Sequence, residues 1–471
     1  MSTVENKILT RLESDQLGQL EIPADALYGI HTLRALDNFK ISNRKVNPVL
    51  AKAVATVKLA AARTNRNIEK NGENLLKWDG IINACEQLAG GVGLDQIIVD
   101  ALSGGAGTSI NMNVNEVIAN ITLKDMNLNP GDYDKISPLN HINLHQSTND
   151  VFPTAIKLAS IWEIQLLEQS IISLQEEFQK KEKEFSDVVK IGRTEFQDAV
   201  LTTLGKTMSA AADAFARDRW RVYKCIERLR VINLGGTAIG TGIGAPKKYI
   251  FQICDELRAI TGIGFARGEN LMDTTQNCDV FVEVSGILKA LATSLIKIST
   301  DLRILSSGPD SGFGEIIIEA KQAGSSIMPG KVNPVIPEAV TQGAMQVIGN
   351  DTVITIAASS GNLEINQFLP LIADNLLTSI QLLTNSVTSL GENCISTLKA
   401  DKKRCRKNIE SGTAIATAIV PVLGYDEVSR LTSKSIKEGI PLIQLVVNET
   451  SLSNEDIEKL TTPTAVCKLG Y

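Results

Sequence analysis

Four short segments gather small polar side chains among glycines. They are where this sequence could do chemistry. The richest is Gly324-Ser325-Ser326-Ile327-Met328-Pro329-Gly330-Lys331-Val332-Asn333-Pro334. Its glycines and prolines rule out a regular helix. Two serines lie close to a lysine, which supplies a point positive charge, and to an asparagine, which supplies oriented donors. A loop that binds a carboxylate and moves a proton needs those groups, and loops that concentrate such groups often carry function. The second segment is Gln146-Ser147-Thr148-Asn149-Asp150. It reads either as the N-cap of a helix or as an anion site built at a helix N-terminus. The third is Gly104-Gly105-Ala106-Gly107-Thr108-Ser109. Its glycines allow close approach of backbone to a ligand, although an ordinary loop and cap account for it as well. The fourth, Gly192-Arg193-Thr194-Glu195-Phe196-Gln197-Asp198, reads on its own as a solvated charged turn.

Other signals are weaker. The stretch from Asn233 to Gly244 is glycine-rich but matches neither a dinucleotide fingerprint nor a phosphate loop. His31, His141 and His145 lack metal-ligand spacing, and only His145 adjoins one of the polar segments. Seven scattered cysteines form no CxxC pair, which fits reduced thiols rather than a zinc site or redox dithiol.

These segments need a scaffold. The chain has 471 residues, a formal net charge of -6 and only 4% aromatic residues. The length suffices for two or three domains. The mild acidity argues against a nucleic-acid partner without excluding a small anionic substrate. No leader-like start and no apolar run of about 18 residues stand out, so a soluble cytoplasmic protein with no membrane partner is expected. Steps of three and four place Ile161, Ile164, Leu167, Ile171, Leu174 and Phe178 on one helical face. The same spacing runs from Leu288 to Leu305 and from Leu376 to Leu390, with a further candidate helix from Leu204 to Leu229. Such helices cannot bury their stripes alone, so the reading is a helical bundle. The stripes look too continuous for one chain, which suggests an oligomeric core. The pattern divides the chain into an N-terminal domain over 1–147, a central helical bundle over 148–398 and a C-terminal domain over 399–471, with Ser453 to Glu455 capping a late helix.

Taken together and in this order, GGAGTS, QSTND, GRTxxQDA and GSSIMPGKVNP resemble the aspartase/fumarase superfamily. Tyr28-Gly29-Ile30-His31-Thr32-Leu33-Arg34-Ala35 and Gly349-Asn350-Asp351 are similar to its aspartase branch. The likeness runs from about residue 10 to the end of the chain. It implies an all-α fold, a homotetramer with a twenty-helix core, and active sites each shared between three chains. No cofactor and no bound metal are expected. Carried over to this chain, it assigns Ser325 as general base, and Thr108, Ser147, Thr148 and Ser326 as donors to an aci-carboxylate (a doubly charged enediolate). Lys331 and Asn333 would bind the other carboxylate with Thr194 nearby, and Asn149 would lie near the leaving group. The reaction implied first is reversible loss of ammonia from L-aspartate to give fumarate. A lyase on a betaine-type or substituted amino acid, fumarate hydration, and a silent relative used as a binding subunit are the alternatives. Three departures bear on substrate. Glu195 stands where the family has histidine or glutamine, His145 replaces a small residue, and Leu369 takes a position that is often charged.

Overall fold

The computed structural model describes residues 9–70 and 72–468. The chain is predominantly helical, as expected, and it divides into two compact units. The first comprises the chain through Leu166, together with Val222–Lys289 and Val347–Gln381; the second comprises Leu167–Arg221, Ala290–Gln346 and Leu382–Tyr471.

The first unit opens with an antiparallel hairpin, Thr10–Asp15 against Gly18–Pro23, followed by the helix Ile30–Asn38. That helix has no side-chain cap of its own at Gly29. Its free N–H groups are instead met by Glu116, a fully buried carboxylate from the helix Thr108–Asp125. Glu116 accepts from the backbone N–H of Gly29 (2.9 Å), His31 (2.8 Å) and Thr32 (3.1 Å) and from the Thr32 hydroxyl (2.6 Å). Glu13 adds a contact to the N–H of Ile30 at 2.8 Å. Negative charge is favoured at a helix N-terminus, and a buried carboxylate needs this many donors to stay folded in. The helices Pro48–Ile68, Leu75–Gly90 and Thr108–Asp125 pack in sequence, and Lys247–Thr261 lies against the first of them.

The second unit carries the antiparallel hairpin Val189–Thr194/Gln197–Thr203 and a set of short C-terminal helices around Ile415, Ile419, Leu431 and Leu442. Ser453 caps the helix Asn454–Leu460 in a reciprocal box with Asp456, close to where the sequence places a cap.

The long helices read from periodicity are present as Thr148–Glu184, Leu204–Leu229, Asp279–Leu305 and Leu369–Leu390. Their stripes, including Ile164, Phe178, Leu291 and Leu383, are buried within the single chain. The stripes therefore do not themselves demand a second chain. Exposed apolar side chains lie elsewhere, among them Leu166 and Trp220 on these helices and Met345 and Ile356 on a further long helix, Val335–Ser359. Leu369 is buried at the start of its helix, which accounts for an apolar residue there.

Replacing Glu116 by alanine leaves four donors unmet at the start of the Ile30–Asn38 helix. We expect a loss of about 3 kcal/mol in local stability. Faster amide exchange at residues 29–32 is the readout; unchanged protection there would contradict this role.

Candidate active site

The polar segments fall on both units. In the first, the chain reaches Thr108 through Gly105, Ala106 and Gly107, all with positive φ. A Cβ on Gly107 would sit 2.5 Å from the Phe152 ring, so glycine is required there by both φ and space. That contact seats the loop before Thr108 against the first turns of the Thr148–Glu184 helix. The exposed Thr108 hydroxyl donates back to the Gly105 carbonyl at 2.7 Å.

The QSTND segment is fixed from several directions. Thr148 is buried, and its hydroxyl oxygen accepts from Asn111 Nδ2 at 3.1 Å. Asn149 donates its side-chain N–H to the Ala238 carbonyl at 2.7 Å. Pro153 cannot supply the helical N–H that the Asn149 carbonyl would normally accept. Asn233 Nδ2 supplies a donor instead, at 2.8 Å. Asp150 is fully buried and accepts from the N–H groups of Ser147, Gly235 and Thr237 at 3.0, 3.1 and 3.0 Å. The segment is thus both a cap and part of a larger polar assembly. The glycine-rich stretch from Asn233, read as a weak signal in the sequence, holds this carboxylate and braces Asn149. Thr237 and Gly235, both with positive φ, present the two N–H groups.

Lys58 lies beneath the segment, 1% exposed, donating to Asn143 Oδ1 and Gln146 Oε1 at 2.9 Å each. Burial pushes its ammonium down to about 7, although Asp150 opposes this, and burial raises the Asp150 carboxyl to about 6. Nothing in the sequence around Lys58 marks it as part of this assembly, because a lysine in an alanine-rich helix normally faces solvent.

In the second unit, the segment read as a charged turn is the tip of the hairpin. Thr194 pairs with Gln197, leaving Glu195 and Phe196 as the two turn residues, with φ of 53° and 63°. A two-residue turn with positive φ at both positions normally uses asparagine and glycine. Here glutamate and phenylalanine take it, at a backbone cost of about 1–3 kcal/mol each. Thr194, Glu195 and Phe196 are all exposed. Arg193, just before them, is held by Glu315 at 2.8 Å and stacks over Phe313 at 4.2 Å.

The loop 324–334 is irregular and mostly exposed, with Ser325 half-buried. The Ser325 N–H donates to the Lys331 carbonyl at 3.2 Å, and the Lys331 N–H donates to the Met328 carbonyl at 3.2 Å. The loop therefore folds back on itself. Within it the Ser325 hydroxyl oxygen accepts from the N–H groups of Ile327 and Met328, both at 3.3 Å. A Cβ on Gly324 would come within 2.0 Å of the Lys331 oxygen, so the fold-back excludes any side chain there. Ser326, Lys331 and Asn333 are exposed. The structure thus sets Thr108 at the start of the helix whose Asn111 holds Thr148, next to Ser147 and Asn149 in sequence, and on the other unit joins Ser325 to Lys331 through the loop backbone.

The chain matches the lyase family model over residues 18–349 and the fumarase C C-terminal model over residues 415–468. It is 42% identical to an aspartate ammonia-lyase of Bacillus sp., over 96% of each chain. It is 42% identical to the aspartate ammonia-lyase of Escherichia coli K12, over 91% of each. A crystal structure described as fumarate lyase:delta crystallin from Brucella melitensis bound to cobalt superposes with a TM-score of 0.93 at 44% identity, covering 97% of this chain and 99% of that one. The class II fumarase of Schistosoma mansoni gives a TM-score of 0.89 at 30% identity, covering 98% of this chain and 99% of that one. The chain belongs to the aspartase/fumarase superfamily and is a carbon–nitrogen lyase of its ammonia-lyase kind.

Gly324→Ala should open the fold-back and withdraw the two N–H groups from Ser325. Activity is expected to fall by about two orders of magnitude, the scale of losing an oxyanion donor, with the melting temperature within a few degrees of wild type. Wild-type kcat/KM in this variant would show that the fold-back is not needed.

Proposed function

We propose that the protein eliminates ammonia reversibly from L-aspartate, giving fumarate, with Ser325 as the base. The observation that carries this reading is the pair of backbone N–H groups aimed at the Ser325 oxygen. A neutral serine is a poor base. As an alkoxide, it would take a proton from C3 of aspartate. The electron pair would pass into the C4 carboxylate to form the aci-carboxylate, and the C2–N bond would then break to release ammonia. Thr108, Ser147, Thr148 and Ser326 supply the hydroxyls and N–H groups for the doubly charged intermediate. Lys331, Asn333 and Thr194 hold the other carboxylate, and Asn149 stands by the departing amine. The order of events is proton abstraction first, because preorganised donors stabilise charge where it develops.

The assembly that does this is a cytoplasmic homotetramer whose sites each take loops from three chains. Support comes from the exposure of Thr108, Thr194, Ser326, Lys331 and Asn333 in the single chain, which leaves them open to other subunits. Exposed apolar side chains on the long helices, among them Trp220, Met345 and Ile356, give a surface for the other subunits.

Glu195 favours a second reading of the substrate. An exposed carboxylate on a strained hairpin tip repels a substrate carboxylate and attracts a cation, so a permanently charged or substituted ammonium suits it better than a free one.

A panel of L-aspartate, L-malate and a betaine-type amino acid, assayed for ultraviolet absorbance of the unsaturated product and for released amine, separates these readings. Fumarate with stoichiometric ammonia from aspartate supports the first. Trimethylamine release without turnover of aspartate selects the second. Glu195→Gln is expected to shift the ratio of kcat/KM between aspartate and the charged amine by about tenfold or more toward aspartate, the scale of one charge contact. An unchanged ratio would place Glu195 outside the site.

A further inference from the structure

We propose that His145 is a positioning residue for the QSTND segment, acting through Asn65. This rests on the reading that Ser147, Thr148 and Asn149 bind substrate. His145 has φ of 63°, the left-handed region, and directly precedes Gln146. The Asn65 side chain, 2% exposed on the helix Pro48–Ile68, reaches both residues of the bend. Its Nδ2 donates to the Leu144 carbonyl at 3.3 Å, and its Oδ1 faces His145 Nδ1 at 2.9 Å. The first contact sets which way the amide points, so its oxygen is the atom facing the ring and the imidazole carries its proton on Nδ1. One buried amide therefore grips two successive residues and holds a left-handed turn in a side chain that does not relax there freely.

The grip continues into the segment. Gln146 Nε2 donates to the same Leu144 carbonyl at 3.2 Å, while its Oε1 accepts from Lys58 at 2.9 Å. The His145 ring is tilted over the buried Tyr249 ring, with centroids 5.4 Å apart, which fixes the imidazole from the other side. Histidine thus adds a directional pin from Nδ1 to Asn65, which a small residue at this position lacks. The pin sits two residues before the hydroxyl of Ser147 and three before that of Thr148. A displacement of about 1 Å at a group that must meet a developing charge is enough to lower the rate about a hundredfold.

The test uses two replacements at one position. His145→Gly accepts the left-handed backbone but has no donor. His145→Asn also tolerates that backbone, and its Nδ2 lies as many bonds from Cα as the imidazole Nδ1 does. The glycine variant should lose about 10–100-fold in kcat, with KM within about threefold, because the geometry needed in the transition state is lost rather than binding itself. The asparagine variant should recover to within about threefold of wild type. Amide exchange over residues 146–150 should quicken in the first variant and return in the second. Asn65→Leu removes the acceptor together with the donor to the Leu144 carbonyl, so it should be at least as impaired as the glycine variant, and the double variant should be no worse than Asn65→Leu alone. Glycine and asparagine variants that are equally impaired, or a glycine variant with unchanged kcat and unchanged exchange, overturn the proposal. Should wild type fail to turn over aspartate, the exchange measurement still decides the role of His145, and the substrate assignment fails separately.

Discussion

The proposed chemistry depends on holding a negative charge on a serine oxygen. Two backbone N–H groups from the same loop already point at that oxygen, at 3.3 Å each. A hydrogen bond to a charged group is worth about 1.5–3 kcal/mol, so two together raise the acidity by about a hundred- to ten-thousand-fold. That falls short of what an alcohol needs near neutrality, since an alcohol is about as weak an acid as water. A cation must therefore add to the dipoles. Lys331 belongs to the same loop, and its own carbonyl accepts the Ser325 N–H. The fold-back that orients the donors thus ties the lysine to the serine, and Gly324 is the residue whose missing side chain permits it.

The polar support under the QSTND segment follows a different rule. The loop 324–334 uses its own backbone; the QSTND segment is held by side chains from three other stretches of sequence. Lys58, Asn111 and Asn233 each place a hydrogen bond on it, and Asn65 holds Leu144 and His145 just before it. Each of these donors would be costly if left unmet, so the contacts hold the segment in place. Rigid support suits donors that must stabilise charge without reorganising. The hairpin tip contrasts with both. There the backbone itself is strained, and the strained residues, Glu195 and Phe196, are exposed. Strain kept at an exposed position points to function more than to stability.

Much of this was legible in the sequence, and what was not has a common cause. Helical periodicity placed the four long helices, since burial of one face repeats every three or four residues regardless of what it packs on. The loop 324–334 was readable because few backbones tolerate its glycines and prolines. The segment 192–198 looked like a plain turn because the type of turn depends on cross-strand register, which Glu-Phe does not announce. The roles of Lys58, Asn65, Glu116 and Asn233 were invisible for a related reason. A polar residue in a helix or loop reads as solvated unless its partner is known, and each partner here is more than 75 residues away. The stripes were read as unsatisfied because periodicity reports that a face is buried without reporting against what.

The most direct test of the central claim separates proton abstraction from bond cleavage. The C3 proton of aspartate can be followed by NMR for exchange with solvent deuterium while ammonia release is measured in the same sample. Wild type is expected to exchange that proton at least as fast as it releases ammonia. Ser325→Ala should bind aspartate yet show no enzyme-dependent exchange over hours. Exchange at the wild-type rate in that variant would mean that another group takes the proton, and the loop's donors serve some other end.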